Sequence, residues 1–270
     1  MCYNAAYSIE KNLKHAISRE QDPNLKRKLE DMLENWRKNK LPFVPPIRID
    51  DVVHFSNAFE HAFFPAFYLE NGERQLGFFR WGLIPRWCKD EKKALTLWNQ
   101  TINARSETMF DKPSFRASAK DRRCVIILDG FYEYHHIGKD KYPFFIEQKG
   151  KPMYVAGLYE LTEIDGVEWR TFTIVTCDGN ERMKYIHNNP KNSGRMPVIL
   201  DYDQVDLWLN PRPNVALEQL ENTVTSMCTP LNDADLNAYT VGKLQGKHGI
   251  GNDPRARERF TYLEVELEGH

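Results

Sequence analysis

The sequence predicts an α+β fold, and three observations carry that reading. A charge-dense stretch with helical spacing lies near the start of the chain. Short β-branched or aromatic runs follow it, bounded by Gly, Pro or charged residues. Helical patterns do not regularly separate those runs, so the strands are expected to form a curved, mostly antiparallel sheet rather than βαβ units.

Residues 2–8 (CYNAAYS) read as a short strand. Residues 10–40 read as helix, with Asp22 as N-cap and Pro23 at the first helical position. Leu25, Leu29, Met32, Leu33 and Trp36 recur at helical spacing and form an apolar face. Lys26, Arg27 and Lys28 are interspersed with Glu30, Asp31 and Glu34, which suits a solvated face better than a nucleic-acid patch. Pro42, Pro45 and Pro46 end the helix. Strands are expected at 76–83, 124–134, 142–148, 153–161, 170–176 and 196–200. Short helices follow at 204–209 and 215–221, near Pro211 and Pro213, and 259–267 alternates as a last strand. There is no internal repeat, so residues 1–270 are expected to form one domain, with the charged helical segment at about 10–40 as an insertion.

Composition narrows the function classes. With 270 residues, 41% of them hydrophobic and 12% aromatic, the chain can fill a sizeable core. Its 37 basic and 38 acidic residues leave a net charge of −1, so any nucleic-acid contact needs a local basic face. The five cysteines are scattered and contain no CxxC pair, which argues against a disulfide framework or a thiolate zinc site. No metal or other cofactor is expected. No signal peptide and no apolar run of about 18 residues is present, so a cytoplasmic protein without a membrane span is expected.

Cys2 directly follows Met1. Removal of Met1 would leave an α-amine and a thiol on one residue, titrating near ~7.7–8.0 and ~8.5 respectively. Such a residue can trap an aldehyde: the amine forms an imine, and the thiol then closes a five-membered thiazolidine. An internal cysteine cannot, because its nitrogen is an amide. The competing reading is a small apolar residue near a strand start.

Three other segments gather polar groups. Asn103, ahead of Ala104-Arg105-Ser106-Glu107, suits either a helix N-cap or a site residue. Glu133 lies among Phe131, Tyr132 and Tyr134, where desolvation raises a carboxyl toward acid–base range; a structural ion pair is the alternative. His187 is one of eight histidines and suits a structural role or proton transfer. Arg105, Arg116 and Arg195 suit phosphate clamps or ion pairs. Trp81 and Trp87, with Arg80 and Arg86, suit a core or a surface that stacks unpaired bases.

In order and type, these segments resemble the SRAP (SOS response-associated peptidase) family. The resemblance rests on Met1-Cys2, Trp81-Gly82-Leu83-Ile84-Pro85, Asn103-Ala104-Arg105-Ser106-Glu107-Thr108, Phe115-Arg116, Gly130-Phe131-Tyr132-Glu133-Tyr134, and His187 with Arg195-Met196-Pro197. It covers residues 1–8 and 50–210. It implies a barrel-like sheet core with flanking helices, and covalent capture of abasic sites in single-stranded DNA by a monomer, associated with the nucleoid when bound. It further implies Cys2 as nucleophile, Asn103 as positioner, Glu133 as general acid/base and His187 as helper in ring opening and release. Arg105, Arg116 and Arg195 would hold phosphates, and Trp81 would shape a base-stacking floor. Lyase, crosslink-reversal and self-cleaving peptidase activities are implied as well. Three departures stand out: the family's Cys-Gly-Arg is here Cys2-Tyr3-Asn4, the loop from His187 to Arg195 is longer, and the charged 10–40 segment is longer than the family leads one to expect. The reading from a different class is an N-terminal-nucleophile hydrolase that uses Cys2, His187 and Asn103 on amide bonds. A third is a non-catalytic single-strand binding module.

Overall fold

A computed structural model describes residues 2–40, 48–190, 194–210 and 216–265. The break expected at Pro42, Pro45 and Pro46, and the nearby Pro211 and Pro213, lie outside the described residues. In chain order the strands are β1 (Asn4–Ser8), β2 (Val52–Asn57), β3 (Phe63–Glu70), β4 (Glu73–Trp81), β5 (Asn103–Arg105), β6 (Arg123–Leu128), β7 (Gly130–Ile137), β8 (Asp140–Gln148), β9 (Met153–Ile164), β10 (Val167–Asp178), β11 (Arg195–Pro197), β12 (Ile199–Leu200) and β13 (Leu236–Thr240). The helices are α1 (Ile9–Arg19), α2 (Pro23–Arg37), α3 (Glu91–Trp98), α4 (Arg116–Asp121), α5 (Glu181–Ile186), α6 (Val205–Leu209) and α7 (Leu217–Ser226).

Five strands close on themselves. β10 pairs with β4, β4 with β3, β3 with β6, β6 with β9, and β9 returns to β10. The described pairings are antiparallel, except those of β10 with β4 and with β5. Closure leaves the barrel strands without free edges. Its buried aromatic side chains pack in two sets: Phe64 meets Trp81 and Phe172, and Phe79 meets Tyr68 and Tyr159, whereas Phe78 packs outward on Trp36 of α2. A second sheet, β13-β8-β7-β1-β2, is open and antiparallel throughout. The α+β class expected from the sequence is what the chain adopts.

Local chemistry explains the barrel hairpins. The β3–β4 and β9–β10 turns are Asn71-Gly72 and Asp165-Gly166, with φ of 52° and 79°, and 51° and 75°. Two left-handed central residues suit the twist of paired strands, and Asn-Gly and Asp-Gly adopt them most readily. In the middle of β9, a Cβ at Gly157 would lie 2.3 Å from Ile126 Cδ1 and 2.9 Å from the Thr173 carbonyl. Only glycine fits between β6 and β10 there.

Some boundaries differ from expectation. The 10–40 stretch forms two helices, α1 and α2. Chain direction changes at Glu20, and the Asp22 carboxylate then accepts from the Asn24 and Leu25 amides at 2.8 and 3.0 Å. The run 124–134 is not one strand. It is split at Asp129, whose amide donates to the Ala6 carbonyl at 2.8 Å, so β6 and β7 enter different sheets. Similarly, 196–200 is split at Val198 into β11 and β12. The last strand expected at 259–267 is absent among described residues 259–265, where Arg259 forms only an isolated bridge to Val241.

Asp129 ties the chain ends together. Its carboxylate is buried and accepts from Ser8 Oγ at 2.5 Å and from Arg257 Nη1 at 2.7 Å. Burial alone would raise this carboxyl, but Arg257, Ser8 and Lys11 outweigh it and hold it low. Its contribution is therefore present above the ordinary carboxylate range and is lost as pH falls through the depressed value. Arg257→Ala should lower unfolding free energy by about 3 kcal/mol at pH 7, because a buried carboxylate loses its partner. Adding Asp129→Asn should recover much of that loss. Urea melts of the two variants check both outcomes, and equal losses would remove Asp129 as the reason.

Candidate active site

Cys2 lies at the entry to β1 and is fully buried. β1 is an interior strand, paired with β2 on one edge and β7 on the other. The carbonyls ahead of it are also held. Asn103 Nδ2 donates to the Cys2 carbonyl at 2.8 Å, and the Ala58 amide donates to the Tyr3 carbonyl at 2.7 Å. The Cys2 thiol points to the Asn4 carbonyl, with Sγ 3.7 Å away. Burial, followed by the Glu133 charge, pushes that thiol well above its ordinary range.

Glu133 comes from β7, whose register sets Tyr132 opposite Asn4. It is 5% exposed, and burial pushes its carboxyl up to about 7. The environment that the sequence implied, an acid among aromatics, is thus a desolvated one. At neutral pH Glu133 is divided between acid and base forms, the condition under which one carboxyl can both donate and accept a proton.

His187 ends α5, and α5 is fastened to β7. His135 Nδ1 bonds the Tyr185 carbonyl at 2.8 Å, and the two rings stack at 4.6 Å. Asn188 closes the fastening by bonding both the amide and the carbonyl of His136, at 2.8 and 2.9 Å. Burial lowers the His187 imidazole to about 4, so it is neutral at pH 7. His187 Nδ1 lies 3.4 Å from both the amide nitrogen and the carbonyl oxygen of Arg195. Residues 191–193 of the intervening loop lie outside the described residues.

Glu133 and His187 line one cleft of about 440 Å³. Tyr3 and Phe59 form one wall, with ring centroids 5.4 Å apart and planes 24° from parallel. The exposed Lys141 and Lys243 also line it. Sequence reasoning did not single out Phe59, Lys141 or Lys243, because exposed residues at the ends of short elements or in loops carry no periodic signal. An aromatic wall, two cations, an acid of raised pKa and a neutral imidazole suit a polar, anionic substrate that reacts by proton transfer.

The remaining expected residues are distributed differently. Asn103 begins β5, which runs parallel to β10, rather than capping a helix. Arg105 and Arg116 are exposed, and neither lines the cleft. Arg195, expected to clamp phosphate, is 6% exposed and already occupied. It meets Glu107 at 2.7 and 3.0 Å, Asp178 at 2.8 Å and the Thr176 carbonyl at 2.7 Å. Its place is that of an anchor for the strand that follows His187. Trp81, expected to floor a base-stacking surface, is wholly buried. It packs on Phe172 and donates from Nε1 to the Ile102 carbonyl at 2.9 Å, one residue before Asn103. Among the described residues no group of His, Cys, Asp and Glu could hold a metal ion. Also among them, no helix is long and apolar enough to cross a membrane.

Comparison with known proteins places this arrangement. The family described as SOS response associated peptidase (SRAP) matches residues 9–247. The Bacillus subtilis abasic site processing protein YoaM is 40% identical over 178 residues, covering 65% of this chain and 72% of the relative. The chicken abasic site processing protein HMCES is 34% identical over 164 residues, covering 52% of this chain and 47% of the relative. A crystal structure of a Bacteroides thetaiotaomicron protein superposes with a TM-score of 0.73 at 28% identity, covering 96% of this chain and all (100%) of the other. A Bordetella bronchiseptica protein shares the fold, with a TM-score of 0.65 at 21% identity, covering 89% of this chain and 100% of the other. With the family match running through nearly the whole chain, and the fold shared from end to end, this protein belongs to the SRAP family.

Proposed function

We propose that this chain processes abasic sites in single-stranded DNA by capturing them covalently through Cys2, once Met1 has been removed. The observation that carries the proposal is the setting of Cys2: buried, held at its carbonyl by Asn103, and within the field of a carboxyl that titrates near neutrality. The names of the relatives YoaM and HMCES support the same substrate.

The chemistry follows from the groups present. The Cys2 amine attacks the aldehyde carbon of the ring-opened deoxyribose and forms a C–N bond. Glu133 protonates the hydroxyl that leaves as water, which gives the imine. The thiol then adds across the C=N bond, sulfur to carbon and proton to nitrogen, and closes the thiazolidine. The high pKa of the buried thiol suits this order, because sulfur acts as a neutral thiol on an activated imine. His187, neutral and beside the cleft, assists sugar ring opening and later release. Reversal and lyase chemistry pass through the same imine. Lys141 and Lys243 at the cleft, with the exposed Arg105 and Arg116, hold the backbone phosphates, so binding weakens with salt.

Intact-mass measurement is the first test. Protein lacking Met1 should gain the mass of an oligonucleotide carrying one abasic site, and gain nothing from undamaged DNA. Cys2→Ala should abolish the adduct, whereas full activity with Met1 still attached would end the proposal.

The second test is the pH profile. Capture needs a neutral amine and a protonated Glu133, so the rate should peak at about pH 7.5 and fall on both sides. Glu133→Gln should slow capture by about 10²–10⁴ and remove the alkaline limb. An unchanged profile would assign the acid to another group.

Stability should move the opposite way. The folded value of Glu133 lies above its ordinary 4.5, so its contribution is intact below that value and declines as pH rises through about 7. Thermal melts of Glu133→Gln should therefore show stabilisation of about 2 kcal/mol at pH 8 and little at pH 5. Equal melting shifts at both pH values would contradict the burial of a titrating carboxyl.

A further inference from the structure

A second cavity, also about 440 Å³, lies at the far end of β8. Pro143 on this strand lines the first cleft and Gln148 lines the second. Five residues of extended chain separate the two, about 17 Å. The second cavity is built where α1 crosses the β8–β9 turn. Its cations are Arg19 from α1 and Lys149 and Lys151 from the turn. Set against them are two carboxylates, Asp201 and Asp203. Lys151 pairs with Asp201 at 3.1 Å, and Lys149 donates to a neutral carbonyl, that of Ala234, at 2.7 Å. Arg19 is exposed and has no carboxylate partner among the described residues. Positive charge is therefore in excess.

Two further observations point to a ligand. His15 lines the cavity beside Tyr154, with its Nδ1 3.2 Å from the tyrosine hydroxyl. Burial lowers the His15 imidazole, and the positive charges of Arg19, Lys151 and Lys11 lower it further. Gln148 is 4% exposed, and neither its amide nitrogen nor its amide oxygen has a partner among the described residues. A buried amide with both ends unpaired is costly, on the order of 1–3 kcal/mol per group. The volume lies within the range of small-molecule sites and far exceeds what a lone phosphate fills.

We propose that this second cavity is a phosphate site of nucleotide size. Arg19 and Lys151 hold the phosphate, and Gln148 offers its donor and acceptor to the edge of the attached group. A side-chain amide matches the paired donor and acceptor on a base edge. Tyr154 and Tyr202 supply an aromatic wall, packed edge to face at 5.3 Å. The same chemistry is available from a free nucleotide or from a nucleotide within a DNA strand. The inference does not rest on abasic-site capture, since no residue of the first cleft takes part.

Calorimetric titration of the full chain tests it with three probes: dAMP, inorganic phosphate and a short undamaged single-stranded oligonucleotide. For a free nucleotide, dAMP binds saturably, and Arg19→Ala with Lys151→Ala weakens it at least tenfold. Gln148→Leu should weaken dAMP binding but leave inorganic phosphate unaffected. For a strand, the oligonucleotide shows that tenfold loss and dAMP does not bind. In either case, adduct formation with an excess of a short abasic oligonucleotide stays at its unmutated level in the double variant. Failure of all three probes to bind saturably overturns the proposal. So does equally tight binding of every probe by the double variant.

Discussion

The site depends on one constraint: the first strand of the chain is an interior strand. Chain starts usually fray, because a terminal segment is held on one side at best. Here β1 is laced to β2 on one edge and to β7 on the other, and the carbonyls of Cys2 and Tyr3 are tied to Asn103 and Ala58. Any loosening of that lacing would change where the thiol and backbone nitrogen of Cys2 sit. Other features serve the same end. Asp129 locks the end of β1 to the C-terminal region through Ser8 and Arg257, and β10 fixes β5 and hence Asn103.

Electrostatics within the cleft follow from burial. Glu133 and His187, which line the cleft, and the Cys2 thiol, which does not, are each shifted toward their neutral forms, with desolvation the largest cause in each case. A fold does not hold buried titratable groups without expense, and perturbed groups gathered at one cleft are the pattern of a working site. Arg195 follows the opposite rule. Its buried guanidinium is matched by Glu107, Asp178 and a carbonyl, so it stays charged and rigid. That rigidity passes to His187 through the backbone of Arg195, which meets the imidazole at Nδ1.

Much of this was legible in the sequence, and for physical reasons. Alternation and aromatic content marked β4, β8, β9 and β10, and Asp22-Pro23 marked the start of α2. The setting of Glu133 was readable because its neighbours are aromatic. Less legible were the elements whose identity comes from distant partners. β3 carries Pro65 in mid-strand, where local rules demote it, yet Pro65 stands opposite Phe78 on the neighbouring strand β4. β5 is three residues long and exists only because β10 pairs with it. Arg195 and Trp81 show the limit for side chains. An arginine near a site and a tryptophan beside an arginine read alike whether they face a ligand or a core. Only the fold supplies Glu107 and Asp178 for the one, and Phe172 for the other.

The complete burial of Cys2 has a consequence for the life of the protein between substrates. A thiol kept protonated and out of solvent reacts slowly with peroxide, with small disulfides and with stray alkylating agents, because the thiolate is the form that attacks all of them. Under the proposed capture reaction, Cys2 can therefore wait for long periods without being spent. In that proposal its reactivity is conditional on a carbonyl already joined to the neighbouring nitrogen, and chemical restraint in the resting protein becomes a form of selectivity.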